Sequence, residues 1–335
     1  MKACTIRDSK KAMLVRQTKN RLLLSCLLVT CISLLVFSRT SQAQEWRATK
    51  IPFDETITGL SFPTPTVGYF VTSSGKYGIT KDGGKYWEVF RFLTEVGMED
   101  VYFKSKDTGL AVGRNGMIYR TIDGAVNWED RSLIDSIPWL TSGLFVNDTI
   151  ALATGLKPGT NLEGVLYRSI DGGKKWLKVE FAGMGFGELF AAKGVPVCFQ
   201  SYGKLNYSTD LGKSWQSLET VGGKPGRATA FYNNTGILCG NDAMLAFSHD
   251  RGKTWMPVPT QGGAMLTSVV LANDSLGYVG GTGGHIMVTK DGGKTWKKET
   301  PLPETVDVAK LAIAGDRLIV ACAGGFIFNK PIPKD

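Results

Sequence analysis

Along this chain, short apolar runs alternate with clusters of Gly, Asn, Asp, Ser and Lys. The stretch from 99 to 128 shows the pattern best. Glu99 to Phe103 reads as one strand and Lys104-Ser105-Lys106-Asp107-Thr108 as a turn. Gly109 to Gly113 is a second strand, Arg114-Asn115-Gly116 a second turn, and Met117 to Thr121 a third strand; a third turn then leads to Trp128, which starts a fourth. The same order recurs from Leu271 to Trp296, with Asn273-Asp274-Ser275 as the first turn and Gly280 to His285 as the second. Short strands with such regular punctuation predict an all-β chain.

The third turn is a repeated unit. Thr289-Lys290-Asp291-Gly292-Gly293-Lys294-Thr295-Trp296 has the form Ser/Thr, any residue, Asp, two small turn positions, two polar positions, Trp. Six copies occur, carrying the pairs Asp82 and Trp87, Asp123 and Trp128, Asp171 and Trp176, Asp210 and Trp215, Asp250 and Trp255, and Asp291 and Trp296. Successive Asp residues are 41, 48, 39, 40 and 41 positions apart. A period near forty marks an array of equivalent supersecondary units. The Asp carboxylate accepts backbone N–H groups ahead of it, and the Ser/Thr hydroxyl ties the other side of the turn. Gly supplies positive φ, and the Trp buries a large ring against neighbouring strands. The unit is a hairpin clasp; six equivalent carboxylates cannot all form an active site.

These eight residues match the Asp-box, or BNR repeat. At the fifth position of the unit Ala125 is the one departure from the usual Gly. Proteins with this repeat are typically β-propellers and include sialidases, sortilin-type receptors, some glucanases and the photosystem II assembly-factor family. The chain most resembles that last family in the texture Asp100-Val101-Tyr102-Phe103, Gly109-Leu110-Ala111-Val112-Gly113, Thr121-Ile122-Asp123-Gly124 and Trp128. The resemblance covers nearly the whole chain after the leader. It implies an exported, seven-bladed, non-enzymatic propeller that holds partner proteins during assembly.

The blade count also follows from the Trp residues. Trp46, in Glu45-Trp46-Arg47-Ala48-Thr49-Lys50-Ile51, reads like the strand that follows a box, and no such strand follows Phe328. The expectation is seven blades, with the N-terminal strand completing the blade begun by residues 305–329. Such closure removes exposed sheet edges.

Residues 1–43 read as a signal peptide. A basic region (Lys2 to Arg21) precedes an apolar run from Leu22 to Phe37, and Ser41-Gln42-Ala43 offers small residues for cleavage before Gln44. An uncleaved anchor and lipoprotein processing at Cys26 or Cys31 are the alternatives. The propeller then occupies 44–335, and the location is periplasmic or extracellular. The leader holds eight Lys/Arg and one Asp, so of the formal charge of +9 only +2 remains on the rest. That balance argues against a nucleic-acid partner. Once the leader is cleaved, no membrane span is expected. Cys198, Cys239 and Cys322 fall on the same strand of their repeats, as small buried hydrophobes do. No Cys/His cluster suggests a metal, and no cofactor is expected.

Candidate binding residues come from the face opposite the boxes. The second turns offer Arg114, Asn115, Lys157, Tyr202, Asp242 and His285, and the blade connections offer Arg91, Phe92, Trp139, Phe186 and Arg227. The 48-residue step places extra length at Leu156 to Gly164 on that face. Trp139, the one Trp outside the repeat series, either stacks on a sugar or peptide or packs under its own loop. The more distant sialidase resemblance leaves a second reading, a cell-envelope glycoside hydrolase, but the Arg-Ile-Pro motif of that family is Lys50-Ile51-Pro52 here. Lys lacks the bidentate fork that grips a carboxylate. No nucleophile or acid/base pair stands out by spacing. The leading expectation is a binding or scaffolding protein whose partner is a protein or, secondarily, a glycan.

Overall fold

The computed structural model describes residues 46–333, apart from 135–136, 161–162, 181–186, 193–194, 202, 220–222, 261–262, 300–301 and 303–305. The leader expectation therefore lies outside the described residues, as do Tyr202 and Phe186.

The described strands form seven four-stranded antiparallel sheets. We number them by their first strands: sheet 1 from Ile57–Ser61, sheet 2 from Met98–Phe103, sheet 3 from Trp139–Phe145, sheet 4 from Phe190–Ala192, sheet 5 from Gly226–Tyr232, sheet 6 from Leu266–Leu271 and sheet 7 from Val308–Ala314. In sheets 1 to 6 the strands follow in chain order. Sheet 7 has Val308–Ala314, Arg317–Cys322 and Phe326–Pro331, and its outermost strand is Arg47–Lys50 from the other end of the chain. Arg47 lies opposite Asn329 and Lys50 opposite Phe326. Each first strand packs against the next, and that of sheet 7 against that of sheet 1, so the array closes as an all-β propeller.

Burial explains the strand compositions. Second strands such as Gly109–Gly113 and Gly277–Gly281 are covered on both faces and are buried throughout. Fourth strands such as Glu88–Arg91 and Lys297–Lys298 lie at the rim and are largely exposed. Gly stands at or next to the start of several second strands because a large side chain near the end of the first strand lies over it. A Cβ at Gly109 would come within 2.7 Å of the Phe103 ring, and one at Gly236 within 2.4 Å of Phe231.

The core is divided among adjacent sheets, and the box Trp residues explain how. Each packs into the cluster shared with the preceding sheet. Trp128 of sheet 2 lies among sheet 1 residues such as Tyr77, and Trp296 of sheet 6 meets sheet 5. Trp87 of sheet 1 joins Ile319 and Ile327 of sheet 7. Trp46 completes the series by packing against the cluster of sheets 6 and 7. The fourth strands start one residue later than the sequence suggests, at Glu129 and Lys297 rather than at the Trp.

Each first strand also carries a register shift near its start, for example between Met98 and Asp100, Leu140 and Ser142, and Val308 and Lys310. The bulged residue turns toward the neighbouring sheet. Thr58 donates its hydroxyl to the Met98 carbonyl at 2.7 Å, and Thr267 to that of Val308 at 2.6 Å.

Candidate functional site

The hydrogen bonds divide the turns between two faces. The box turns bond to the first turns of their own sheets, as in Gly124 N–H to the Asp107 carbonyl and Gly292 N–H to that of Ser275, both at 2.9 Å. The second turns bond instead to the connection entering the sheet. Arg114 N–H reaches the Gly97 carbonyl, Asn241 N–H that of Pro225 and Thr282 N–H that of Met265, each at 3.0 Å. Boxes and second turns therefore lie at opposite ends of the strands, as the sequence reading requires.

The boxes are structural clasps. In all six the Ser/Thr hydroxyl donates to the Asp carboxylate at 2.8 Å. The same hydroxyl accepts an N–H four residues on, as in Gly293 N–H to Thr289 at 2.9 Å. Burial would raise the Asp250 carboxyl, but bonds from Thr254 and Ser248 outweigh it and bring it down to about 2. The Ser214 N–H, with the Ser214 and Ser208 hydroxyls, holds Asp210 still further below the usual carboxylate range.

On the opposite face the candidates separate. Arg114 and Trp139 come together: the guanidinium lies 4.7 Å from the ring centroid, and Nε donates to Glu99 at 2.9 Å. Trp139 is 40% exposed and opens the first strand of sheet 3. Asn115 stands beside this pair in the left-handed region, at φ 56. Arg227 donates to Asn241 at 2.9 Å, and neighbouring Asp242, also at positive φ, is exposed. Lys157 pairs with Glu163 across the long loop at 3.2 Å. Arg91 faces Glu95 at 3.6 Å and the Phe53 ring at 5.9 Å. His285 is half-buried at the start of a third strand.

Phe92 does not belong to the binding face. It is 7% exposed and packs between Tyr77 and Tyr119, with ring centroids 4.8 and 4.7 Å away. As a large apolar residue directly after a rim strand it folds back into the core between sheets 1 and 2. Lys50 of the Lys-Ile-Pro stretch pairs with Asp54 at 2.7 Å and lies 5.0 Å from the Phe326 ring. Cys198, Cys239 and Cys322 are buried free thiols, which burial pushes well above the ordinary range.

Sequence reasoning missed a charged cluster carried by the first strands. Lys310 of sheet 7 pairs with Glu188, just ahead of sheet 4, at 3.0 Å. Asp100 of sheet 2 is buried nearby. It accepts the Ser142 hydroxyl at 2.7 Å and the Gly143 N–H at 3.3 Å. The same Ser142 oxygen accepts the Leu189 N–H at 3.1 Å, which links sheets 2, 3 and 4. Burial raises Asp100 to about 6, against the pull of Lys310 and with the help of Glu188. Burial would lower Lys310, but Glu188 and Asp100 outweigh it and hold the ammonium above its usual range. The available signal was register: after the bulge, Asp100, Ser142, Ser268 and Lys310 occupy equivalent positions in buried strands. Ionic residues at such positions need partners.

Among the described residues, no helix is long and apolar enough to cross a membrane, and no group of three His, Cys, Asp or Glu could hold a metal ion.

Comparison with known proteins agrees with the repeat reading. A family model described as photosynthesis system II assembly factor YCF48 matches residues 38–305. Photosystem II assembly lipoprotein Ycf48 of Synechococcus sp. (strain CC9902) is 26% identical over 159 residues, which is 44% of this chain and 43% of that protein. The match thus spans less than half the length of that relative. A solved structure of YCF48 bound to D1 peptide superposes with a TM-score of 0.71 at 18% identity, covering 89% of this chain and 100% of that one. YCF48 from Cyanidioschyzon merolae gives 0.67 at 18% identity, covering 86% and 98%. The WD40 β-propeller domain of Doa1 gives 0.67 at 13%, covering 87% and 98%. At these identities the structural likeness establishes the propeller fold.

Proposed function

The chain belongs to the photosynthesis system II assembly factor YCF48 family, and on that premise we propose that it is an exported seven-bladed propeller that holds a segment of a partner protein during photosystem II assembly. The leader, residues 1–43, is removed before Gln44. The relative named as a lipoprotein supports a location outside the cytoplasm, and the seven four-stranded sheets support the blade count.

The observation that carries the binding role is the Arg114–Trp139 stack. A cation held 4.7 Å from a ring that is itself 40% exposed is a ready platform for an extended peptide. Arg and Trp are the residues most enriched in binding hot spots. Arg91, Arg227, Lys157, Asn115, Asp242 and His285 extend the same face. The relative solved with a D1 peptide supports a peptide as the ligand class.

Titration of a D1 peptide series onto the purified protein tests this. Arg91→Glu with Arg114→Glu is expected to weaken binding at least tenfold, about 1.4 kcal/mol, without changing the melting temperature much. Undiminished affinity in that variant would remove the face, and no affinity for any D1 segment would remove the partner. Mass spectrometry of the exported chain checks the start at Gln44.

A further inference from the structure

The Arg114–Trp139 stack is assembled from two sheets. Arg114 is held by Glu99 on the first strand of sheet 2, and Trp139 opens the first strand of sheet 3. Above them the Gly116 N–H reaches the Pro138 carbonyl at 2.6 Å. Below, one buried side chain joins the same two strands. Asp100 follows Glu99 directly, and its partner Ser142 stands three residues after Trp139. Each strand has its register shift here, between Met98 and Asp100 and between Leu140 and Ser142. The strands belong to separate sheets, so no ladder pairs them, and the two bulges meet at the Asp100–Ser142 bond.

The Asp100 carboxylate is an acceptor in each of its bonds among the described residues. One oxygen takes the Ser142 hydroxyl at 2.7 Å and the Gly143 N–H at 3.3 Å. The other takes the Val101 N–H at 2.9 Å. Bonds to an ionised acceptor are the stronger kind, and a proton on Asp100 removes both the charge and an acceptor site.

The charges around this carboxylate come from other elements. Lys310 of sheet 7 attracts it, and Glu188 of the connection ahead of sheet 4 repels it; the Cys239 thiol of sheet 5 lies near that pair. Two carboxylates thus share one buried ammonium. Burial and Glu188 together bring Asp100 to about 6, so it takes up a proton just below neutral pH. The Glu188 N–H in turn donates to the carbonyl of Arg227, another residue of the binding face, at 3.1 Å.

We propose that Asp100 is a positioning residue for the peptide site: its ionised carboxylate, through Ser142 and Gly143, fixes the strand of Trp139 against the strand that holds Arg114, and proton uptake slackens the stack and releases the peptide. Asp100 is buried and touches no ligand, so this role rests on the peptide reading of that face.

If the ionised form alone presents the stack, about one molecule in eleven is competent at pH 5, and the apparent affinity is about tenfold below that at pH 7.5. Stability moves the other way. The folded-state value of about 6 lies above the unfolded one, so the contribution of Asp100 grows as pH falls through 6. Affinity lost through loosening of the whole fold would instead fall together with stability.

Two readouts on the purified protein between pH 7.5 and 5 test this. One is the Trp139 indole N–H resonance of the free protein, assigned by its loss in Trp139→Phe. The other is affinity for the tightest-binding peptide of the D1 series. The resonance is expected to shift with a midpoint near 6, and the affinity to fall about tenfold while the melting temperature holds or rises. Asp100→Asn, a neutral isostere, is expected to abolish both pH dependences and to bind at pH 7.5 as weakly as the wild type does at pH 5. Ser142→Ala breaks the bridge but leaves Asp100 in place, and is expected to reduce the Trp139 shift by half or more. A Trp139 resonance that does not move, or that titrates equally in Asp100→Asn, overturns the proposal. So does an affinity that stays level while the resonance titrates. If no D1 peptide binds at pH 7.5, the peptide reading fails, and the Trp139 titration alone then decides the positioning role.

Discussion

Lys310 of sheet 7 and Glu188, in the connection just ahead of sheet 4, form an ion pair at 3.0 Å although sheets 7 and 4 are not neighbours in the ring. The pair therefore ties the strand Val308–Ala314 to a connection that no backbone ladder joins to it. Lys310 is largely buried, and Asp100 of sheet 2 adds a second negative group. Removing the lysine leaves two carboxylates facing each other without a cation.

Lys310→Met should destabilise by about 3 kcal/mol, the usual cost of breaking a buried pair from one side. Adding Glu188→Gln should recover at least half of that loss. Denaturant titration of the four proteins of this cycle measures the coupling; strictly additive losses would show that the pair contributes nothing as a pair.

Asp100 fixes the sign of a pH effect. Its folded-state carboxyl is raised to about 6, above the unfolded value of about 4. Its contribution to stability is thus present below pH 4 and is lost as pH rises toward 6. Asp100→Asn should flatten the stability profile between pH 4 and 6. Urea midpoints at half-unit steps decide this, and a profile identical to wild type would contradict the assignment.

The boxes carry the opposite sign. Asp250 is held at about 2, below its unfolded value, so its contribution is intact above pH 4 and disappears as pH falls through 2. Asp291→Ala removes the acceptor of the Thr289 hydroxyl at 2.8 Å and the Thr295 N–H at 2.9 Å. A loss of about 1–3 kcal/mol is expected, with peptide affinity unchanged. If stability held and binding alone vanished, the clasp reading would fail.

Ring closure rests on Trp46 and the strand after it. Deleting 44–51 exposes Phe326–Pro331 as a new edge and strips the ring lying 5.2 Å from Lys330 Nζ. The Trp alone is worth about 3 kcal/mol, so a fall of about 10 °C in melting temperature is expected. Calorimetry that found equal midpoints would rule out this closure.

The local layer of this molecule was legible in its sequence. The six boxes, their Trp anchors, the Gly-Asn and Gly-rich turns and the N-terminal closing strand are all set by chemistry within eight residues or by a forty-residue period. Phe92 was not: its place in a blade connection assigned it to the binding face, while the gap between Tyr77 and Tyr119 drew it inward. Lys310, Glu188 and Asp100 were hidden for a different reason. They meet only because distant sheets converge, and no period in the chain encodes a contact that occurs once.

The order of synthesis gives the shared sheet 7 a kinetic meaning. Arg47–Lys50 leaves the ribosome before every other strand of the ring, yet its partner Phe326–Pro331 leaves last. The earliest strand must wait unpaired while six sheets form behind it, since contacts this distant in sequence are the slowest to close. A chain stalled before Phe326 keeps an open edge at each end, a state suited to capture by chaperones or by another unfinished copy.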